Sequence, residues 1–205
     1  MNILKYNGVP VFKFPSRIIL EITGDNNVIS LNEFMGDGKV HLKIRGNNCT
    51  ISMGKNNSIE RGVLFLNAFN YNGRNCEGSC FIGDSNRFRG GIHICLPLLR
   101  DKKVQIGNKN LFAANSEIIG CTEHPVYNID TGEMINEEQN VIIGDNNWIG
   151  RDALFLCKGG IESNSVVGIR STVTKKFTES NVIIAGTPAV IKRRSIEWYD
   201  GFSRP

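Results

Sequence analysis

From Ile143 to Val173 a large apolar residue recurs every six positions, at Ile143, Ile149, Phe155, Ile161, Val167 and Val173. A small or amide residue follows four places after each of the first five, at Asn147, Ala153, Gly159, Ser165 and Ser171. A helix spaces apolar residues three and four apart and a half-buried strand alternates strictly, so a period of six predicts neither. It suits short flat segments that turn a corner and begin again, stacked into a solenoid. Three such segments, about 18 residues, close one coil of a triangular prism. The aliphatic residue then points inward and the small or amide residue sits near the corner, where Asn or Gly tolerates positive φ. A corner Asn can also hydrogen-bond to its counterpart in the next coil.

The same phase recurs upstream at Ile106, Phe112 and Ile118, with Asn110, Ser116 and Thr122 four places later, and at Ile82, Phe88 and Ile94. A second signature, Gly-x-x-Asn, starts at Gly24, Gly54, Gly83, Gly107 and Gly144 and ends on Asn27, Asn57, Asn86, Asn110 and Asn147. Its spacings of 30, 29, 24 and 37 residues are not multiples of one coil, so loops must interrupt the coils. Residues 1–20 carry no repeat and two prolines, and are expected to form a lead-in that caps the first coil, because an open coil exposes strand edges. The expected organisation is a single domain over 1–205: a lead-in over 1–20, coils over about 21–190, and a C-terminal tail over about 191–205.

A chain of 205 residues is long enough for one core, and 22 glycines supply corners. No basic segment followed by an apolar run opens the chain, and no stretch has the length of a membrane span, so a cytoplasmic location without a membrane span is expected. Six cysteines without a Cys-x-x-Cys pair read as reduced core thiols. A net charge of +4 and the short basic runs at 100–103 and 192–194 are too modest for a nucleic-acid face, though they suit a phosphorylated ligand.

The repeat breaks after Thr122, and Glu123–Asn140 is polar, holding one proline and a Thr-Gly turn before Val141 resumes the period. The break predicts a protruding loop at about 123–140, with His124 at its base. His41 and His93 lie in the repeat region without a comparable motif and read as surface or interface residues. Separations of 52 and 31 residues between the three histidines do not give the closely spaced pair that a zinc site would need, so no metal is expected.

Four pieces carry a resemblance to a known family: His124-Pro125-Val126, then Ile135-Asn136 leading into Val141-Ile142-Ile143-Gly144, then Trp148-Ile149-Gly150-Arg151, and finally Ala185-Gly186-Thr187-Pro188-Ala189. In order and spacing they resemble the left-handed β-helix, or hexapeptide-repeat, acyltransferases, and with the Ile196-x-Trp198 tail they look most like the bacterial polysialic and sialic acid capsule O-acetyltransferases. The resemblance implies an all-β left-handed parallel β-helix. It also implies acetyl-CoA as donor, a hydroxyl of a bacterial surface glycan as acceptor, and a homotrimer with active sites between subunits.

A sugar hydroxyl is a poor nucleophile at neutral pH, so a histidine, whose ordinary range brackets pH 7, suits the base. By resemblance that base is His124, and Trp148 is the oxyanion donor, through its backbone or indole N–H. The family usually places an acid two residues before the histidine, where this chain has Thr122. Glu123, Glu117 or a backbone carbonyl is then left to orient the ring. The resemblance further assigns acetyl-CoA contacts to Gly150, Gly168, Ile169, Lys175, Pro188 and Arg193. Two other classes stay open: an N-acetyltransferase acting on a nucleotide-linked amino sugar, and a non-catalytic β-helix binding protein.

Overall fold

A computed structural model describes residues 1–70, 73 and 75–201, so the last four positions of the expected tail lie outside the described residues. The described chain contains no helix; its strands form three sheets of nine, eight and seven members, here faces 1, 2 and 3. One regular coil runs through Val141–Ile143 on face 1, Trp148–Ile149 on face 2 and Leu154–Phe155 on face 3. It returns to face 1 at Gly160–Ile161, which pairs in parallel with Val141–Ile143. The architecture is a left-handed parallel β-helix. Every inward residue of the hexad series from Ile82 to Val173 is buried, and Phe88 stacks on Phe112 with ring centroids 5.1 Å apart.

Three of the four irregular spacings, those after Gly54, have one source. Extra residues accumulate at the corner between faces 3 and 1, in the connections from Ala68 to Ser79, Cys95 to Lys103 and Ile119 to Val141. The other two corners stay short, so the insertions stack on one edge of the prism and leave the core phase intact.

Four of the five Gly-x-x-Asn copies turn the corner between faces 1 and 2. The copy at Gly24–Asn27 does not; it joins Ile18–Thr23 on face 3 to Val28–Leu31 on face 1. At the face 1–2 corner the asparagines form a buried ladder. Asn57 Oδ1 accepts from Asn86 N at 2.8 Å, Asn86 Oδ1 from Asn110 N at 2.9 Å, Asn110 Oδ1 from Asn147 N at 2.8 Å and Asn147 Oδ1 from Ser165 N at 2.8 Å. The bonds satisfy backbone donors that the turn takes out of the sheets.

Positive φ falls one residue before the ladder position, at Asn56, Ser85, Lys109 and Asn146, and not on the ladder asparagine. The corner glycine is needed for another reason: a Cβ on Gly54 would lie within 2.8 Å of the Gly83 carbonyl in the next coil.

Both ends of the helix carry antiparallel hairpins. Ile3–Tyr6 and Val9–Pro10 close one edge of face 1, and Ile183–Gly186 with Ala189–Arg193 closes an edge of face 2. Each replaces an open parallel edge with a turned-back one. No helix is long and apolar enough to cross a membrane among the described residues.

Candidate active site

The loop carrying His124 is an ordered hairpin. Tyr127 bridges Met134 in antiparallel register, and Ile135 N donates to Val126 O at 2.8 Å. Asn136 clamps the base of the hairpin, its Oδ1 accepting from Val126 N at 2.7 Å and its Nδ2 donating to His124 O at 2.8 Å. Glu138, only 6% exposed, accepts from the backbone N–H groups of Leu98, Leu99 and Thr122 at 3.2, 2.9 and 3.0 Å. The Ile-Asn motif thus fixes the backbone of the histidine, and Glu138 ties the loop to the neighbouring insertion. His124 itself is exposed, and the loop also presents Val126, Tyr127, Ile129 and Ile135 to the surface.

Trp148 lies on face 2, 43% exposed. Its backbone N–H donates to Ser165 O at 2.9 Å within the sheet ladder, which leaves the indole as its available donor. The tail returns to this ring: Trp198 packs at 6.3 Å between centroids, and its Nε1 donates to Asn146 O at 2.8 Å. His124 and Trp148 are not brought together within one chain. The loop springs from the corner between faces 3 and 1, and face 2 is the side of the prism opposite that corner.

The residues expected at acetyl-CoA divide similarly. Gly150, Gly168, Ile169 and Pro188 stack along the corner between faces 2 and 3 in successive coils and the terminal turn. Gly150 and Gly168 have no room for a side chain, because a Cβ would meet Ile169 N at 2.7 Å and the Ala185 Cβ at 2.8 Å. Ile169 is 64% exposed beside them. Lys175 instead sits at the face 3–1 corner, 5.5 Å above the Phe177 ring, and Arg193 lies on the terminal strand opposite Ile183, away from that corner.

Glu117, one candidate to orient His124, is engaged by another histidine: its Oε1 lies 2.9 Å from His93 Nδ1, while His93 Nε2 lies 3.5 Å from the Cys95 sulfur. His41 and His93 are on the outer face as expected, yet they are built into a stack, with Phe65 5.0 Å from His41 and 5.1 Å from His93. Hydrogen bonding from Cys121, with help from His93, pulls the Cys95 thiol down to about 6, and Cys95 and Glu117 together raise the His93 imidazole. The signal for this cluster was in the hexad: Ile94 and Ile118 share a phase, so the residues before them must be outward neighbours. All six cysteines are free thiols, five of them buried.

No protein-family model matches the chain. Among curated proteins it is 27% identical over 137 residues to the polysialic acid O-acetyltransferase of Neisseria meningitidis, covering 67% of this chain and 59% of that one. It is 34% identical over 116 residues to the galactoside O-acetyltransferase of Lactococcus lactis subsp. lactis, covering 56% and 55%. The chain therefore spans less than two thirds of the length of these relatives. Among solved structures, the polySia specific acetyltransferase NeuO superposes with a TM-score of 0.66 at 20% identity, over 98% of this chain and 89% of that one. The polysialic acid O-acetyltransferase OatWY gives 0.59 at 24% identity with the same coverage. With sugar O-acetyltransferases as its partial sequence relatives and solved acetyltransferase structures followed over 98% of its length, the chain has the fold of the hexapeptide-repeat acyltransferases.

Proposed function

We propose that the protein transfers an acetyl group from acetyl-CoA to a hydroxyl of a bacterial surface glycan, with a sialic acid capsule polymer as the leading acceptor, and that it works as a cytoplasmic homotrimer. His124 is the general base. It takes the acceptor proton as the oxygen attacks the thioester carbonyl, and the resulting imidazolium protonates the departing thiolate. The Trp148 indole N–H stabilises the charge that develops on the carbonyl oxygen. Gly150, Gly168, Ile169 and Pro188 form the donor wall, where missing side chains let an extended pantetheine arm approach the backbone. Lys175 and Arg193 supply positive charge for the donor phosphates.

One observation carries this reading. The His124 backbone is clamped on one side of the prism, Trp148 lies on the opposite face, and the loop that carries His124 exposes Val126, Tyr127, Ile129 and Ile135. A neighbouring copy covers those apolar side chains and brings its face 2 to the histidine, which completes a site that one chain lacks. The polymer assignment rests on the acceptor named for the Neisseria relative.

The test is thiol release from acetyl-CoA in the presence of sialic acid polymers, neutral capsule fragments, galactosides and nucleotide amino sugars. Release should require a glycan hydroxyl and be highest with the sialic acid polymer. In His124→Ala kcat should fall by at least about 10² while acetyl-CoA binding persists. Turnover confined to amines, or undiminished by the substitution, would overturn the assignment.

A further inference from the structure

As far as Asp200, the tail stays against the body of the protein. After the terminal hairpin, Ile196 exchanges hydrogen bonds with Asn181, its N donating to Asn181 O at 3.0 Å and its carbonyl accepting from Asn181 Nδ2 at 3.1 Å. Trp198 then packs on Trp148, and Asp200 reaches two arginines on face 2. Asp200 Oδ2 pairs with Arg87 Nη1, and its Oδ1 lies 3.9 Å from Arg89 Nη2. From the other side Glu60 holds both guanidinium groups, 3.4 Å from each.

The register places this cluster relative to the proposed chemistry. Arg87 pairs with Leu111 and Leu111 with Trp148, so the three share one outward row on adjacent strands. Two strand spacings put Arg87 about 10 Å from Trp148. Leu111 points outward but is only 8% exposed, lying in the row between the points where Trp198 and Asp200 touch the sheet. The donor wall lies on the C-terminal side of Trp148 and the arginines on its N-terminal side, so a ligand gripped by the arginines approaches Trp148 from the acceptor side.

We infer that Arg87 and Arg89 are the subsite for the carboxylate of an acidic sugar in the acceptor, and that Asp200 is an internal carboxylate standing in that subsite. The inference rests on the acetyl-transfer reading for its direction. Its chemistry rests on the cluster: with Glu60 and Asp200 present the two arginines are neutralised, and withdrawal of Asp200 leaves one net positive charge and two guanidinium groups facing one point. Planar forks of this kind suit a carboxylate, which can accept from both. The tail then has to yield its carboxylate as the acceptor arrives, which makes it a competitor tethered to the site.

The experiment compares a sialic acid oligomer with the same oligomer after methyl esterification of its carboxyl groups. Binding to full-length protein is measured by calorimetry without acetyl-CoA, and KM for each acceptor and for acetyl-CoA is then measured by thiol release. The wild type should prefer the acid. Asp200→Asn should bind the acid several-fold tighter, and Arg89→Gln should weaken the acid about tenfold, bringing its affinity towards that of the ester. Arg87→Gln is the second variant, with the ester as the check that each protein is folded and competent. Equal binding of acid and ester to the wild type, or an Asp200→Asn protein that binds the acid no better, would overturn the proposal. So would an Arg89→Gln protein whose loss appears in KM for acetyl-CoA, because the arginines would then serve a donor phosphate. If no acceptor is acetylated yet calorimetry shows the predicted preference, the acetyl-transfer reading fails and the carboxylate subsite stands.

Discussion

Replacing Asn110 by Ala removes one rung from the buried amide ladder. Asn110 is 1% exposed, its Oδ1 accepts from Asn147 N at 2.8 Å, and its Nδ2 donates to Asn86 Oδ1 at 3.0 Å. The truncation leaves the Asn147 N–H buried without an acceptor, which costs about 1–3 kcal/mol, and deletes a side-chain bond worth about 1 kcal/mol. Asn86 Oδ1 keeps its bond from Asn110 N, so the damage ends there. The sum is about 2–4 kcal/mol, and in a chain of this size each kcal/mol moves Tm by about 2–4 °C, so a fall of about 4–16 °C is expected. Thermal melts at one fixed protein concentration read it, since subunit association would otherwise shift the transition. Asn110→Ser is the internal comparison, because Ser165 does the same job in a later coil, where its Oγ accepts from Val182 N at 3.2 Å. It should recover about half of the loss. A melt of Asn110→Ala within about 1 °C of the wild type, or a serine variant as unstable as the alanine one, would refute the ladder as a source of stability.

Two further perturbations probe other parts of the molecule. Ile161 is 1% exposed in the core, so Ile161→Asp should abolish folding by burying an unpaired charge, whereas Lys158, exposed at a corner, should accept Glu with little change in Tm; similar behaviour of the two would contradict the inward phase. His93 is held above its ordinary range by Cys95 and Glu117, so its contribution is complete below its unfolded value of about 6.5 and is lost as pH rises through the raised folded value. The Cys95 thiolate, lowered to about 6, loses its contribution as pH falls through that value. The Cys95 contribution grows from about pH 6 towards the thiol's unfolded value while that of His93 declines through its raised value, so the two overlap only between these limits. The His93 contribution alone sets the sign of His93→Gln, which should depress Tm more at about pH 6.5 than at about pH 9. Equal depressions at both pH values would refute the pairing.

The legibility of the chain in its sequence followed coil length. Where a coil is three hexads, from Ile143 to Val173, the period alone places the inward residue of each strand, because each corner takes the same short turn; beyond it Phe177 and Ile184 come 16 and 17 residues after their partners Ile161 and Val167. Upstream, strands such as Lys39–Arg45 and Val63–Ala68 outrun the hexad and insertions enter one corner, so Gly24–Asn27 looks like a copy of the other four while turning a different corner. Sequence motifs cannot say which corner they occupy. His124 was visible through its neighbours, and Asn136 now has a role as the clamp on its backbone. The pairing of Trp148 N with Ser165 O depends on strand register, and the contacts of Trp198 and Asp200 depend on where the tail folds, so neither could be read from spacing.

The central claim is that a site on this protein is assembled from two chains, His124 from one and Trp148 from the next. Complementation measures it most directly. His124→Ala and Trp148→Ala proteins are purified, dissociated and reassembled together, mixed trimers are verified by mass, and acetyl transfer is compared with each variant alone. Each variant alone should be nearly inactive, and random mixing should restore about a quarter of the wild-type rate, because one interface in four then recovers both intact halves. Verified mixed trimers with no more activity than the single variants, or a wild-type protein that transfers acetyl groups as a monomer, would contradict the shared site.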